Sequence, residues 1–180
     1  MKIMKKLFSF VCCLFLAVSC FAPFAHSYHT PLRDGEYCRF ALHESVDGSG
    51  VYLTTKPGFW AWACGGAREN GWFTAHRRGD KYILAIGKYA TLIERTSQVL
   101  DEYFRTSSNV WAYKENGGTN QLWHFEREED TEYVRIYNNL TGYCLTYDCK
   151  DKFVYARPYI DRSESDYCSQ LWKITRDGSH

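Results

Sequence analysis

The chain has 180 residues, 45% of them hydrophobic, with 22 Lys plus Arg against 21 Asp plus Glu. That balance excludes the basic field of a dedicated nucleic-acid binder and the charge excess of a disordered tail. Aromatics reach 17%, with only 4 Pro and 2 Met, a mix that suits pleated strands better than helices, so composition predicts a small all-β globular protein.

The first predicted element is an address. Three lysines lie in Met1–Lys6, an apolar run follows from Leu7 through Ala22, and small residues at Ala25 and Ser27 set up a cut before Tyr28. This is the layout of a secretory signal peptide, too short for a membrane span. A lipoprotein acylated at Cys20 is the alternative. The expected product is secreted, extracellular or periplasmic, a single domain over 28–180 with no membrane span. It keeps 19 basic against 21 acidic side chains, a net of −2.

From residue 34 on, four short marks recur three times in the same order. The first copy, about 34–78, carries Glu36-Tyr37-Cys38-Arg39-Phe40, Val51-Tyr52-Leu53-Thr54, Trp60-Ala61-Trp62 and Asn70-Gly71-Trp72. The second, about 79–130, carries Lys81-Tyr82-Ile83-Leu84-Ala85, Ala90-Thr91-Leu92-Ile93, Trp111-Ala112-Tyr113 and Gln121-Leu122-Trp123. The third, about 131–176, carries Glu132-Tyr133-Val134-Arg135-Ile136, Tyr143-Cys144-Leu145-Thr146, Tyr155-Ala156-Arg157 and Gln170-Leu171-Trp172. Each mark is aromatic or β-branched and is separated from the next by Gly, Asn, Asp and Ser, the punctuation of short strands. One copy of about four strands cannot bury its apolar face alone, so three packed around an axis are expected. A helical turn is expected only at Gln98–Tyr103.

Five cysteines follow the leader: Cys38, Cys64, Cys144, Cys149 and Cys168. Export makes disulfides the default, and the odd number leaves one thiol over. No C-x-x-C pair suggests zinc. A Cys144–Cys168 bridge would add about 3 kcal/mol by restricting the unfolded chain, although pairing cannot be read from spacing.

Three repeats of roughly 50 residues, two of them closing on Gln-x-Trp and one on the degraded Asn70-Gly71-Trp72, resemble the ricin B-chain type β-trefoil, the R-type lectin family. Asn138-Asn139-Leu140-Thr141-Gly142-Tyr143-Cys144-Leu145 is similar to the family's Asn…Gly-Lys-Cys-Leu stretch. The match covers about residues 34–176. It implies an all-β β-trefoil of three pseudo-symmetric four-stranded repeats and a carbohydrate-binding, non-catalytic role with glycan or glycoprotein as partner. Trp72, Trp123 and Trp172, with Leu122 and Leu171, are then expected in the core, because a large ring ending each unit fills a trefoil's centre. Gln121 and Gln170 suit buried backbone satisfaction, since an amide both donates and accepts.

The third mark carries the candidate site. A pyranose has an apolar C–H face and hydroxyl edges, so it needs one flat ring and several convergent hydrogen-bonding groups. The resemblance places Trp60, Trp111 and Tyr155 against sugar, with Trp62 beside Trp60. In the middle copy Asn109, Asn120 and Gln121 surround Trp111 at the family's spacing. The family's Asp after Cys-Leu is replaced by Thr54, Ile93 and Thr146, so the acceptor is expected to be missing from all three copies, with Glu94 or Asp148 as substitutes. A lost charge-assisted bond costs about 1.5–3 kcal/mol.

Phe59-Trp60-Ala61-Trp62 supports a second reading, a protein-binding patch similar to those of trefoil binding subunits in multi-component toxins. Catalysis has little support. The six histidines lack zinc-enzyme spacing, and no nucleophile elbow, phosphate loop or dinucleotide fingerprint occurs. No enzyme activity, cofactor, metal or nucleic-acid partner is expected. Asn139-Leu140-Thr141 is a glycosylation sequon.

Overall fold

A computed structural model describes residues 32–44, 50–55, 61–65, 71–87, 90, 92, 97–103 and 108–177. The leader at 1–27, Phe59, Trp60, Asn70 and Glu94 lie outside these residues. Twelve strands occur among them: β1 (Glu36–Leu42), β2 (Val51–Thr54), β3 (Trp62–Gly65), β4 (Phe73–Arg78), β5 (Lys81–Ile86) and β6 (Gln98–Tyr103), then β7 (Asn109–Lys114), β8 (Trp123–Arg127), β9 (Tyr133–Asn138), β10 (Cys144–Tyr147), β11 (Val154–Arg157) and β12 (Trp172–Arg176). Residues in β1 alternate between buried and half-buried, the period expected of a strand with one face on a core. No helix among the described residues is long and apolar enough to cross a membrane.

Six strands pair antiparallel in a closed ring, β1–β4–β5–β8–β9–β12 and back to β1. Closure removes the edges that an open sheet would expose. The hairpins β2–β3, β6–β7 and β10–β11 attach to this ring through Ala41↔Tyr52, Ala85↔Val99 and Tyr137↔Cys144. β4 and β5 join through the two-residue turn Gly79-Asp80, where Gly79 takes φ +68°, a left-handed value that glycine adopts without steric cost.

The register recurs along the chain. Phe73 faces Cys38 and Ile86, Trp123 faces Tyr82 and Asn138, and Trp172 faces Val134 and Leu42. On each of β1, β5 and β9 the two residues so faced are four apart: Cys38 and Leu42, Tyr82 and Ile86, Val134 and Asn138. The equivalent positions are therefore Cys38, Tyr82 and Val134, whereas the sequence alignment had put Tyr37, Tyr82 and Tyr133 together. The core holds Phe40, Phe73, Tyr82, Phe125, Trp123 and Trp172. Phe40 stacks on Phe125 at 5.8 Å between centroids and Tyr82 meets Phe125 edge-on at 5.3 Å, while the Tyr82 hydroxyl donates to the Leu32 carbonyl.

Four expectations are corrected here. Gln98–Tyr103 is a strand, paired with β7 at six positions; its residues gain far more from a ladder and a buried inner face than one isolated helical turn could provide. The second mark of the middle copy is thus Val99-Leu100-Asp101, not Ala90–Ile93. Trp72 is half-buried and Phe73 takes the core seat, because strand alternation sends neighbours to opposite faces. The Arg39 guanidinium lies 3.8 Å over the Trp72 ring. Finally, Cys38, Cys144, Cys149 and Cys168 carry no disulfide, which removes the Cys144–Cys168 bridge. Cys144 is wholly buried in β10, and burial pushes its thiol up to about 12.

Candidate functional site

The outer face of the hairpin β6–β7 gathers the polar and aromatic groups. Asp101 in β6 pairs in register with Trp111 in β7, which puts both side chains on one face. The Trp111 indole Nε1 donates to Asp101 Oδ1 at 3.0 Å. On the other carboxylate oxygen, Asn120 Nδ2 and Gln121 Nε2 donate to Oδ2 at 3.0 and 2.8 Å. Asn120 and Gln121 arrive on a 3-10 turn, Thr119–Gln121, so Asp101 ties that turn to the hairpin.

Asp101 is only 2% exposed. Burial raises its carboxyl above the ordinary range, and the bonds from Gln121, Trp111 and Asn120 pull the other way by favouring the charged form. A carboxylate offers about four lone-pair sites; the three donors leave one acceptor position over. Gln121 is itself locked: Nε2 also donates to the Lys114 carbonyl, and its Oε1 accepts from Asn116 N. Gly118 lies between two amide oxygens, where an added Cβ would come 2.3 Å from Asn120 Oδ1 and 2.8 Å from Asn116 Oδ1.

Three rings line the same face. Tyr103 meets Trp111 at 5.1 Å between centroids with a 58° tilt, and Tyr113 stacks on Trp111 at 5.0 Å and 10°. Trp111 is half-buried, while Tyr103 and Tyr113 are 37% and 45% exposed. Asn109 is buried at the end of β7, opposite Tyr103 and Tyr155. Glu102, on the inner face of β6, is wholly buried; Thr141 Oγ1 donates to its Oε2 at 2.8 Å, and its Oε1 has no partner.

The other two hairpins hold related but different sets. Thr146 faces Tyr155, and Thr54 faces Trp62. Trp62, not Trp60, therefore occupies the position equivalent to Trp111, and both threonine hydroxyls donate to a carbonyl two residues back, at Cys144 and Tyr52. In the third copy Gln170 Nε2 donates to Thr146 Oγ1 at 2.9 Å, as Gln121 does to Asp101. Tyr155 is engaged elsewhere: Arg157 lies 4.7 Å over its ring and its hydroxyl donates to Asp151 Oδ2 at 2.6 Å. Asp148 pairs with Arg157 at 2.8 Å and accepts from Lys150 N, which hold its carboxyl below the usual range.

The structure thus brings Asn120, Gln121 and Trp111 together around Asp101 and places Tyr155 and Asp148 in a separate lattice of charged groups. The acceptor expected to be missing is present as Asp101. Its signal was the dipeptide Leu100-Asp101, parallel to Leu53-Thr54 and Leu145-Thr146, which the longer β5–β6 connection displaced from the alignment. Tyr103, Tyr113 and Gly118 were also missed. A cavity of about 650 Å³ lies elsewhere, against Glu128, Arg135, Tyr137, Tyr159 and Arg162. Its lining balances three glutamates, Glu126, Glu128 and Glu129, against three arginines, and Glu128 pairs with both Arg135 and Arg162. Among the described residues no cluster of three His, Cys, Asp or Glu side chains could hold a metal ion.

No protein-family model matches the sequence, and no curated protein matches it. Solved structures do resemble it. The designed threefold-symmetric protein ThreeFoil shares 18% identity at TM-score 0.59, covering 77% of this chain and 97% of that one. SeviL bound to asialo-GM1 saccharide shares 15% at TM-score 0.56, covering 79% and 98%. A mosquitocidal holotoxin shares 15% at TM-score 0.62, covering 81% of this chain but only 18% of the toxin. At these identities the likeness is one of fold, and with the closed ring and its three hairpins it makes this chain a β-trefoil, the fold that the R-type resemblance implied.

Proposed function

We propose that this chain is a secreted, non-catalytic carbohydrate-binding β-trefoil of three four-stranded repeats, about 34–78, 79–130 and 131–176, with its sugar site in the middle repeat. One observation carries this reading: a buried carboxylate, Asp101, held by Trp111, Asn120 and Gln121 with one acceptor position to spare beside a wall of aromatic rings. Such a site supplies both things a pyranose needs, a flat apolar surface and a fixed polar group. SeviL, which resembles this chain in fold and is solved bound to asialo-GM1 saccharide, supports the reading. A glycan array on residues 28–180 tests it. Wild type gives a defined set of bound glycans and Asp101→Asn loses them by tenfold or more while remaining folded; an empty array rejects the reading.

Secretion is part of the same proposal and rests on the leader at 1–27. N-terminal sequencing of exported protein should begin at Tyr28. A toxin-associated, protein-binding role is the second reading, favoured by the holotoxin likeness and by Phe153, an exposed ring bridged to Trp62. It predicts an empty array and a partner whose capture is lost in Trp62→Ala.

A further inference from the structure

We infer that the middle site takes an oligosaccharide, with Tyr113 carrying a second sugar unit beside the one held at Asp101. This rests on the carbohydrate reading above and adds to it the size of the ligand. Trp111, the ring that the sequence singles out as the sugar platform, has little freedom and little open surface. Its N–H is committed to Asp101 Oδ1, and Tyr103 tilts against it at 5.1 Å. Tyr113 lies nearly parallel to it at 5.0 Å, an offset stack in which one ring overlaps part of the other's face. The indole is thereby a wedge that fixes its neighbours.

The open aromatic surface belongs to the tyrosines, and Tyr113 is the more exposed. Core packing does not account for that ring. Its cross-strand partner Val99 shares its face and is wholly buried, yet Tyr113 keeps nearly half its surface in solvent. Single exposed aromatics are ordinary on protein surfaces, but three contiguous rings beside a buried carboxylate form a patch. Directly across the hairpin Tyr113 meets the uncharged Val99, and the polar groups around Asp101 and Asn120 begin one same-face position along. One end therefore fixes a sugar by its hydroxyls and the next accepts a second unit by stacking alone. A single pyranose covers one ring face, so the second ring adds affinity only when the ligand continues past the first unit.

Isothermal titration calorimetry tests this on the wild-type protein and on Tyr113→Ala, Tyr113→Phe and Asp101→Asn. The probes are two series, galactose with lactose and lacto-N-tetraose, and xylose with xylobiose and xylotriose. In whichever series binds, the longest member should bind wild type about tenfold more tightly than its monosaccharide, in keeping with one stacked ring. Tyr113→Ala should bring that ratio close to one and Tyr113→Phe should restore it. Equal affinity for monosaccharide and oligosaccharide, or a ratio unchanged in Tyr113→Ala, overturns the inference. If Asp101→Asn abolishes binding while Tyr113→Ala keeps the ratio, the carbohydrate reading stands and this inference falls. If neither series binds wild type, this inference falls, and an empty glycan array takes the carbohydrate reading with it.

Discussion

The indole N–H of Trp123 donates to the carbonyl oxygen of Leu100 over 3.0 Å, and that of Trp172 makes the same bond to Leu145 at 2.9 Å. Each bond runs from a strand of the closed ring to the first strand of a hairpin, so the two indoles pin β6 and β10 onto the ring. Leu100 is the residue immediately before Asp101. The bond that secures the core therefore also sets the position of the candidate site.

Trp123 is wholly buried, and truncating it creates a cavity and strands the Leu100 carbonyl. We expect Trp123→Ala to cost about 3–5 kcal/mol, read as a lowered midpoint in urea with an unchanged slope. A loss below about 1 kcal/mol would mean that the ring does not fill the core.

Sugar binding should depend on the ionised form of Asp101. Burial raises its carboxyl above the ordinary value of 3.8, so binding is present above this raised value and is lost as pH falls through it. The loss should occur at milder acidity than for an ordinary aspartate. Titrating a bound glycan from pH 7 downward tests this, and affinity that holds to pH 3 would contradict it.

Glu102 has the opposite consequence for stability. Its burial raises the carboxyl above the ordinary 4.5, with the Thr141 bond opposing and Asp101 adding to the rise. A group that holds its proton more tightly when folded contributes stability below its unfolded value, and that contribution disappears as pH rises through the folded one. Glu102→Gln removes the buried charge and keeps an oxygen for Thr141. We expect it to be more stable than wild type at pH 7 by about 1 kcal/mol and nearly equal at pH 4, measured by thermal melts at both. A variant less stable at pH 7 would show that the charge is compensated.

Gly118→Ala tests the support of Asn120 by sterics alone. Gly118 has φ −70° and ψ 152°, which alanine adopts freely, so any effect comes from the close oxygens of Asn116 and Asn120. Displacing them should weaken glycan binding by about tenfold, the scale of one lost bond to a charged group, with a modest fall in midpoint. Unchanged affinity would show that the Thr119–Gln121 turn adjusts without cost.

The all-β class was legible in the sequence because its evidence is local. Alternating burial in β1 follows from the order of apolar residues in Glu36–Leu42, and Trp123 and Trp172 announced themselves as core by their repetition. Gln121 was marked by its place in Gln-x-Trp. Spacing alone could not place Asp101, because the longer β5–β6 connection moved it away from its counterparts Thr54 and Thr146, and alignment followed the wrong segment. The same blindness to strand phase put Trp72 in the core instead of Phe73, and Trp60 in the seat of Trp62. A shift of one residue exchanges the two faces of a strand and a shift of two moves a side chain to the next site on the same face; only cross-strand pairing, which joins residues distant in the chain, distinguishes them.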